Sequence, residues 1–226
     1  MATIINTLRG TKGPNQPIAP VEYNQRYQDQ FTNVLRLYFN QIDNFSNTLA
    51  GINGGSNLQF PHIAAQDTVD QYATGNDIPT VVKWNTLDTG SGFTLNLDNS
   101  ATAQQSGIYK IDFSLQFANT SNAQEDVYVW LTVDGVPVAG SSSKFTVPAR
   151  KSAGIYGYVV AYSSVTFPIV GAQSVKLIWA TSTAYNPVGP VDGVFMDSLP
   201  AQTTPYVRPA NPSAIGSIVF VSRLPT

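Results

Sequence analysis

The sequence predicts a mainly β chain, an antiparallel two-sheet sandwich or jelly roll preceded by one long helix and an extended arm. Three observations lead there. From Ile78 onward about eight apolar runs of strand length follow one another, separated by turn residues and with no helical period between them. In the clearest, Gly107 to Phe117, the residues Tyr109, Ile111, Phe113, Leu115 and Phe117 alternate with Lys110, Asp112, Ser114 and Gln116, so one face is dry and the other wet. Ahead of the strands, Phe31, Leu35, Tyr38, Ile42, Phe45, Leu49 and Ile52 recur at spacings of four and three. That is the seam of a helix that packs on copies of itself, with Leu35, Ile42 and Leu49 at a and the other four at d.

Composition narrows the classes. The 226 residues suffice for one full-sized domain plus an extension. With no cysteine, a disulfide framework, a thiolate zinc site and a thiol nucleophile are all ruled out. Only 12% of residues are charged and the net charge is -2, which gives no footing for nucleic acid. Apolar content is too high for a disordered chain. No run approaches the ~18 uncharged apolar residues of a membrane span. Ile4, Ile5 and Leu8 are interrupted by polar residues, unlike a signal peptide. The expectation is a protein that stays in the cytoplasm where it is made or leaves as part of an assembly.

In chain order, residues 1–19 read as an extended anchoring arm. The stripe Ile4, Ile5 and Leu8 is followed by Pro14, Pro17 and Pro20, which forbid a continuous helix. Residues 20–55 read as an oligomerising and docking helix, starting near Pro20 with Glu22 at its positive end and stopped by Gly51, Asn53, Gly54 and Gly55. Val34, Leu37 and Phe39 lie outside the seam, where an isolated coiled coil would carry polar residues, so a further surface, either the chain's own β-domain or a foreign one, must cover them. Residues 56–77 read as a linker, and residues 78–226 as the head domain. Within the head, Asp126 to Val133 sets Val127, Val129, Leu131 and Val133 on one face and Tyr128 and Trp130 on the other, as at a subunit contact. Asp134-Gly135 then makes a tight hairpin turn. Thr89-Gly90-Ser91-Gly92 reads as a turn, and Tyr185–Pro212 as a long surface loop.

Catalytic constellations are thin. A Ser-His-Asp set would have to use His62, the one histidine, which sits beside Pro61 with no nucleophile elbow in the chain. Glu125-Asp126 is the adjacent carboxylate pair, at a strand entry where charge ordinarily solvates a loop. For calcium, Asp67, Asp70, Asn76 and Asp77 form one candidate set and Asp192 and Asp197 another. Neither has EF-hand spacing, and such residues are ordinary turn formers. The reading is therefore a non-enzyme with no catalytic residues, no metal and no cofactor. Tyr185 and Tyr206 could stack on sugars or cap a sheet edge.

Several of these strings resemble the C-terminal domain of virion structural proteins from tailed phages of marine bacteria. They are Ser106-Gly107-Ile108-Tyr109, the stretch Val127 to Val138, the stretch Val175 to Trp179, and Pro212 to Phe220. Their order and spacing are also similar to the globular head shared by C1q and tumour necrosis factor, a jelly roll that forms tight trimers. Glu22-Tyr23, Arg26 to Gln30 and Leu35 to Asn44 resemble a segment found at the front of otherwise different chains in the same phage group. Gly216, Ala172-Gln173 and the length of the 185–212 loop depart from the pattern, so the resemblance implies the fold and no binding site on the loops. The resemblance implies a virion homotrimer, a capsid or tail decoration or fibre, assembled in the host cytoplasm. Its partners would be its own copies and a phage capsid or tail protein, with no nucleic acid and no membrane. A fibre tip that binds a host surface glycan or receptor, or a bacterial C1q-like adhesin, are the alternatives.

Overall fold

A computed structural model of the chain describes residues 13–18, 21–50, 60–189 and 191–224. The chain divides into two units, Met1–Gln59 and Phe60–Thr226. Ile4, Ile5, Leu8 and Ile52 lie outside the described residues, as does the predicted Gly51–Gly55 helix stop.

The first unit holds helix α1, Gln25–Ala50. It begins five residues later than Pro20 suggests, because Asn24 supplies the cap. The Asn24 Oδ1 accepts a hydrogen bond from the Tyr27 N–H at 3.2 Å and so satisfies one of the orphan donors of the first turn. At 1.5 Å per residue the helix is about 39 Å long. Tyr27, Phe31, Val34, Leu35, Tyr38, Ile42, Phe45 and Leu49 are partly shielded by their own helical neighbours, and no described side chain of the helix is buried.

The second unit is built from fourteen strands among its described residues. The first six are β1 (His62–Asp67), β2 (Gln71–Tyr72), β3 (Thr80–Val81), β4 (Thr86–Ser91), β5 (Phe93–Leu95) and β6 (Ala101–Ala103). Then come β7 (Gly107–Asn119), β8 (Glu125–Val133), β9 (Val136–Pro137) and β10 (Ser143–Val147). The last are β11 (Gly157–Ile169), β12 (Ser174–Thr181), β13 (Val194–Met196) and β14 (Ala214–Ser222). Every pairing between these strands is antiparallel, and the isolated bridge from Ala184 to Val194 is parallel. One sheet runs β11-β7-β14-β1-β4, with β13 and β2 extending the lines of β14 and β1. The other runs β10-β8-β12-β6-β5, with β9 on β8 and β3 on β12. The chain changes sheet on either side of β3, between β4 and β5, on either side of β7, on either side of β11, and again before β13. These crossings make the unit a jelly roll.

The core lies between the two sheets. The inward row of β7 predicted from its alternation, Tyr109 to Phe117, is buried throughout. It meets Trp179 of β12, whose ring centroid lies 5.4 Å from that of Phe117. The Asp134-Gly135 turn forms as expected, both residues having positive φ, 49° and 81°.

Three readings of loops need correction. Residues 62–67 are part of the sandwich, because Ile63, Ala65 and Asp67 of β1 point inward and the strand pairs with β14 along its length and with β4 from His62 to Gln66. Thr89, Gly90 and Ser91 lie in β4, and the turn is made at Gly92, with φ 70°. The 185–212 segment contains the buried strand β13. It also contains a hairpin in which Leu199 pairs with Asn211 and Gln202 with Arg208.

Two backbone positions give opposite expectations. A Cβ at Gly157 would clash with the Pro148 carbonyl oxygen, so Gly157→Ala is expected to lower unfolding free energy by about 3 kcal/mol in denaturant titrations. Ala172 has φ 70°, a conformation that glycine adopts without strain, so Ala172→Gly is expected to raise stability by about 0.5–1 kcal/mol in the same assay.

Candidate self-association surfaces

On α1 the four-three spacing puts Phe31, Leu35, Tyr38, Ile42, Phe45 and Leu49 along one stripe, continued backward by Tyr27, whose ring stacks on Phe31 at 6.1 Å. Val34 borders this stripe. Leu37 and Phe39 point elsewhere and are 51% and 57% exposed. One helix face cannot enclose both groups, because at 3.6 residues per turn Leu37 lies about 200° round the helix from Leu35 and Phe39 about 100° from Tyr38.

In the β-unit, Tyr128 and Trp130 both project from the outer face of β8, and their surroundings differ. Tyr128 is opposite Lys144 of β10, whose Nζ sits 5.9 Å from the ring centroid. Trp130 is opposite Ile178 of β12 and is only partly exposed. The sheet's own outer side chains therefore occupy part of the contact area that sequence alone assigns to a subunit interface.

A larger apolar surface occurs on the other sheet. Along β11 the outward residues Tyr158, Val160 and Tyr162 are 53%, 60% and 60% exposed. Two strands away, Ile215 and Val219 of β14 face the same side and are also exposed. Across the register, Ser114 of β7 sits between Tyr162 and Ile215. The Tyr162 hydroxyl donates to Asp112 Oδ1 at 3.3 Å, and the ion pair Lys110–Asp112, at 3.0 Å, marks the polar side of the patch. Sequence reasoning missed this face. The signal was present in Tyr158-Val159-Val160-Ala161-Tyr162, which is apolar on both faces of a strand, the same pattern that singled out β8.

At the β13 end of that sheet lies an aromatic cluster. The Tyr185 ring packs tilted against Phe195, with centroids 5.0 Å apart, and against Tyr72 at 5.8 Å, so it covers this edge of the sheet, the second of its two expected roles. Tyr206, by contrast, is 63% exposed near the tip of the 199–211 hairpin. Beside the cluster two carboxylates meet. Asp70 Oδ1 accepts hydrogen bonds from Ser198 N and Oγ, both at 2.8 Å, and Tyr72 donates to Asp70 Oδ2 at 3.3 Å. Asp197 is buried next to them. Burial pushes the Asp197 carboxyl above the usual carboxylate range, the Asp70 charge adds to this, and the Tyr158 hydroxyl partly offsets it.

The remaining candidates are held in local structure. His62 Nδ1 is 2.8 Å from the Phe60 carbonyl oxygen and Nε2 is 3.3 Å from Thr89 Oγ1, with no carboxylate on either nitrogen. Glu125 Oε2 accepts from Ser182 and Thr183 hydroxyls at 2.7 and 2.9 Å, while Asp126 turns to Lys144 at 2.7 Å. The two neighbours thus have different partners and do not face one reacting atom. Of the calcium sets, Asp67 accepts from Val69 N, Asn76 from Ala184 N, and Asp192 pairs with Arg150 at 3.1 Å. Asp70 and Asp197 come together from separate sets. Among the described residues no group of three or more acidic or histidine side chains could hold a metal ion. Nor is any helix among them long and apolar enough to cross a membrane.

No family model matches the chain, and no curated protein is significantly similar to it. Similar solved structures include Eiger TNF from S. frugiperda, at 11% identity and TM-score 0.43, a match covering 75% of this chain and 97% of that one. They also include the globular domain of zebrafish complement 1qA protein, at 13% identity and TM-score 0.44, covering 74% of this chain and 100% of that one. The fold class itself follows from the sheet order given above.

The Asp197 environment sets a pH dependence. Its folded-state value is raised above the ordinary 3.8, so the stability it contributes is fully present below that pH and is lost as pH rises through the folded value. Asp197→Asn is therefore expected to melt above the wild type at neutral pH, with the two melting temperatures converging as pH falls below 3.8. Thermal melts of both proteins across the acidic range check this.

Proposed function

We propose that this chain is a non-enzymatic virion structural protein, a homotrimer that docks on a phage particle through its arm and helix and displays the jelly-roll head. The observation that carries the self-association is the α1 stripe from Phe31 to Leu49, which its own helix leaves uncovered. A regular a/d seam is matched by copies of the same seam, since each a or d side chain fits the hole formed by four residues of a like helix. The six described seam side chains, at about 1.5–3 kcal/mol each when fully buried, offer a gross term large enough for a permanent assembly. This sum is an upper bound, because ordering the chains opposes it.

The Tyr158–Val160–Tyr162 row supports a second contact between heads, an apolar face rimmed by the Lys110–Asp112 pair. The count of three comes from the resemblance of the strand strings to trimeric heads. The assignment to a virion comes from the strings of the helix and strands that resemble phage structural proteins. Leu37 and Phe39 are then left for the capsid or tail partner, along with Ile4, Ile5, Leu8 and Val34.

A second reading, a tip that binds a host glycan or receptor, is favoured by one feature. Tyr206 and Val207 stand 63% and 83% exposed near the end of the 199–211 hairpin. A clamp and a tip differ in what their loss does: fragile particles for the first, intact particles that fail to adsorb for the second.

Light scattering on the purified full chain is expected to give three times 24.3 kDa at micromolar concentration. Combined Leu35→Asp, Ile42→Asp and Leu49→Asp substitutions are expected to abolish the trimer and its incorporation into particles while leaving the β-sheet circular dichroism unchanged. A monomeric wild type would overturn the proposal.

A further inference from the structure

A cavity of about 50 Å³ lies between the two sheets and is partly open to solvent. Its origin is a coincidence of small residues. On the first sheet the inward row across β1, β14 and β7 reads Ala65, Gly216, Phe113. On the facing sheet Ala101 of β6 also lines the space, paired with Leu95 on one side and Val175 on the other. Two alanines and a glycine fail to fill the space that larger residues close elsewhere in the core.

Trp84 fills part of the gap. Its ring lies over Gly216 so closely that a Cβ there would be 2.7 Å from Cη2 and 3.2 Å from Cζ2. The backbone around it is pinned at both ends, since Trp84 N donates to Asn99 Oδ1 at 2.9 Å and Asn85 N donates to the Gln66 carbonyl at 3.1 Å. The half-buried indole is therefore a wall hinged at its side-chain torsions, with a fixed main chain behind it.

The lining is almost wholly carbon, so a water inside would lack the two to four polar partners it needs. An apolar void leaves its wall atoms without dispersion partners, and an apolar guest restores them. Cavities of about 150 Å³ take up benzene or xenon, and this one is roughly a third of that size, so its guest is thinner than a ring. We propose that it receives the methyl end of an alkyl chain, which enters past the Trp84 ring while the rest of the molecule stays outside.

The chain has three tryptophans, so fluorotryptophan labelling of the full protein gives three fluorine resonances, with Trp84→Phe identifying one of them. Xenon under pressure is expected to shift the Trp84 resonance saturably and to leave the other two in place. Hexanol at ten times its own Kd is expected to raise the xenon concentration for half-shift about tenfold, by competition for one site. The diol of the same length, which has no apolar end, is expected to have no such effect. Ala101→Val, or Ala65→Val if the first variant fails to fold, fills the cavity and is expected to abolish the xenon shift. A Trp84 resonance indifferent to xenon overturns the proposal. So does a xenon shift with which hexanol does not compete, or one that survives the filling variants.

Discussion

Strand β7 is the constraint on which the rest of the β-unit depends. On one edge it pairs with β11 along its whole length, from Gly107 opposite Ile169 to Asn119 opposite Gly157. On the other edge it pairs with β14 and then β13. Its inward side chains join the sheets, Tyr109 meeting Phe93 at 5.2 Å and Phe117 meeting Trp179 at 5.4 Å. A slip of one residue in β7 would carry that entire row to the solvent side, so its period ties register to burial for three neighbours at once. The Tyr109 hydroxyl escapes the apolar interior by donating to the Gln105 carbonyl oxygen at 2.8 Å. Trp179 has no such outlet, and its Nε1 is a buried side-chain donor without a partner among the described residues.

With the inner faces closed in this way, the outer faces separate by chemistry. Around β7 the outer row is polar, with Lys110 and Asp112 paired, whereas β11 at the sheet edge presents tyrosine and valine. The helix carries the same kind of surplus, an apolar stripe that no residue of its own helix buries. Both surfaces expose carbon in contiguous rows instead of singly. The charged pairs elsewhere, such as Lys144–Asp126 and Lys176–Asp98, sit at the surface, where they hold strands in place without contributing much to stability.

The readings from sequence succeeded where the informative period is local and failed where it is short or diluted. The alternation of β7 spans enough residues to be unambiguous. That of β1 is carried by Ile63, Ala65 and Asp67, and two of these are not large apolar side chains, so the stretch reads as linker from sequence alone. β4 reads partly as a turn for the same reason, since Leu87 is its one large apolar residue and Gly90-Ser91 stands at its end. At the helix start, the fixed φ of Pro20 suggested a first helical position, and the capping side chain of Asn24 placed it further on. On the candidate surfaces, the helix stripe was legible because each residue is three or four positions from the next. The β11 face was not, because an edge strand with apolar residues on both sides reads like a buried one.

What the sequence determined by itself is which side chains share a face: the periods of two and of three to four are properties of neighbouring residues and survive in any arrangement of the elements. Which faces then meet was decided by the tertiary structure. Only folding brings Asp70 to Ser198 and its neighbour Asp197, 128 positions along the chain from Asp70 to Ser198, or lays Trp84 over Gly216. Such contacts arise because the sheets exclude water only when closed by distant segments, and the free energy of that closure belongs to the whole sandwich and to no single stretch of it.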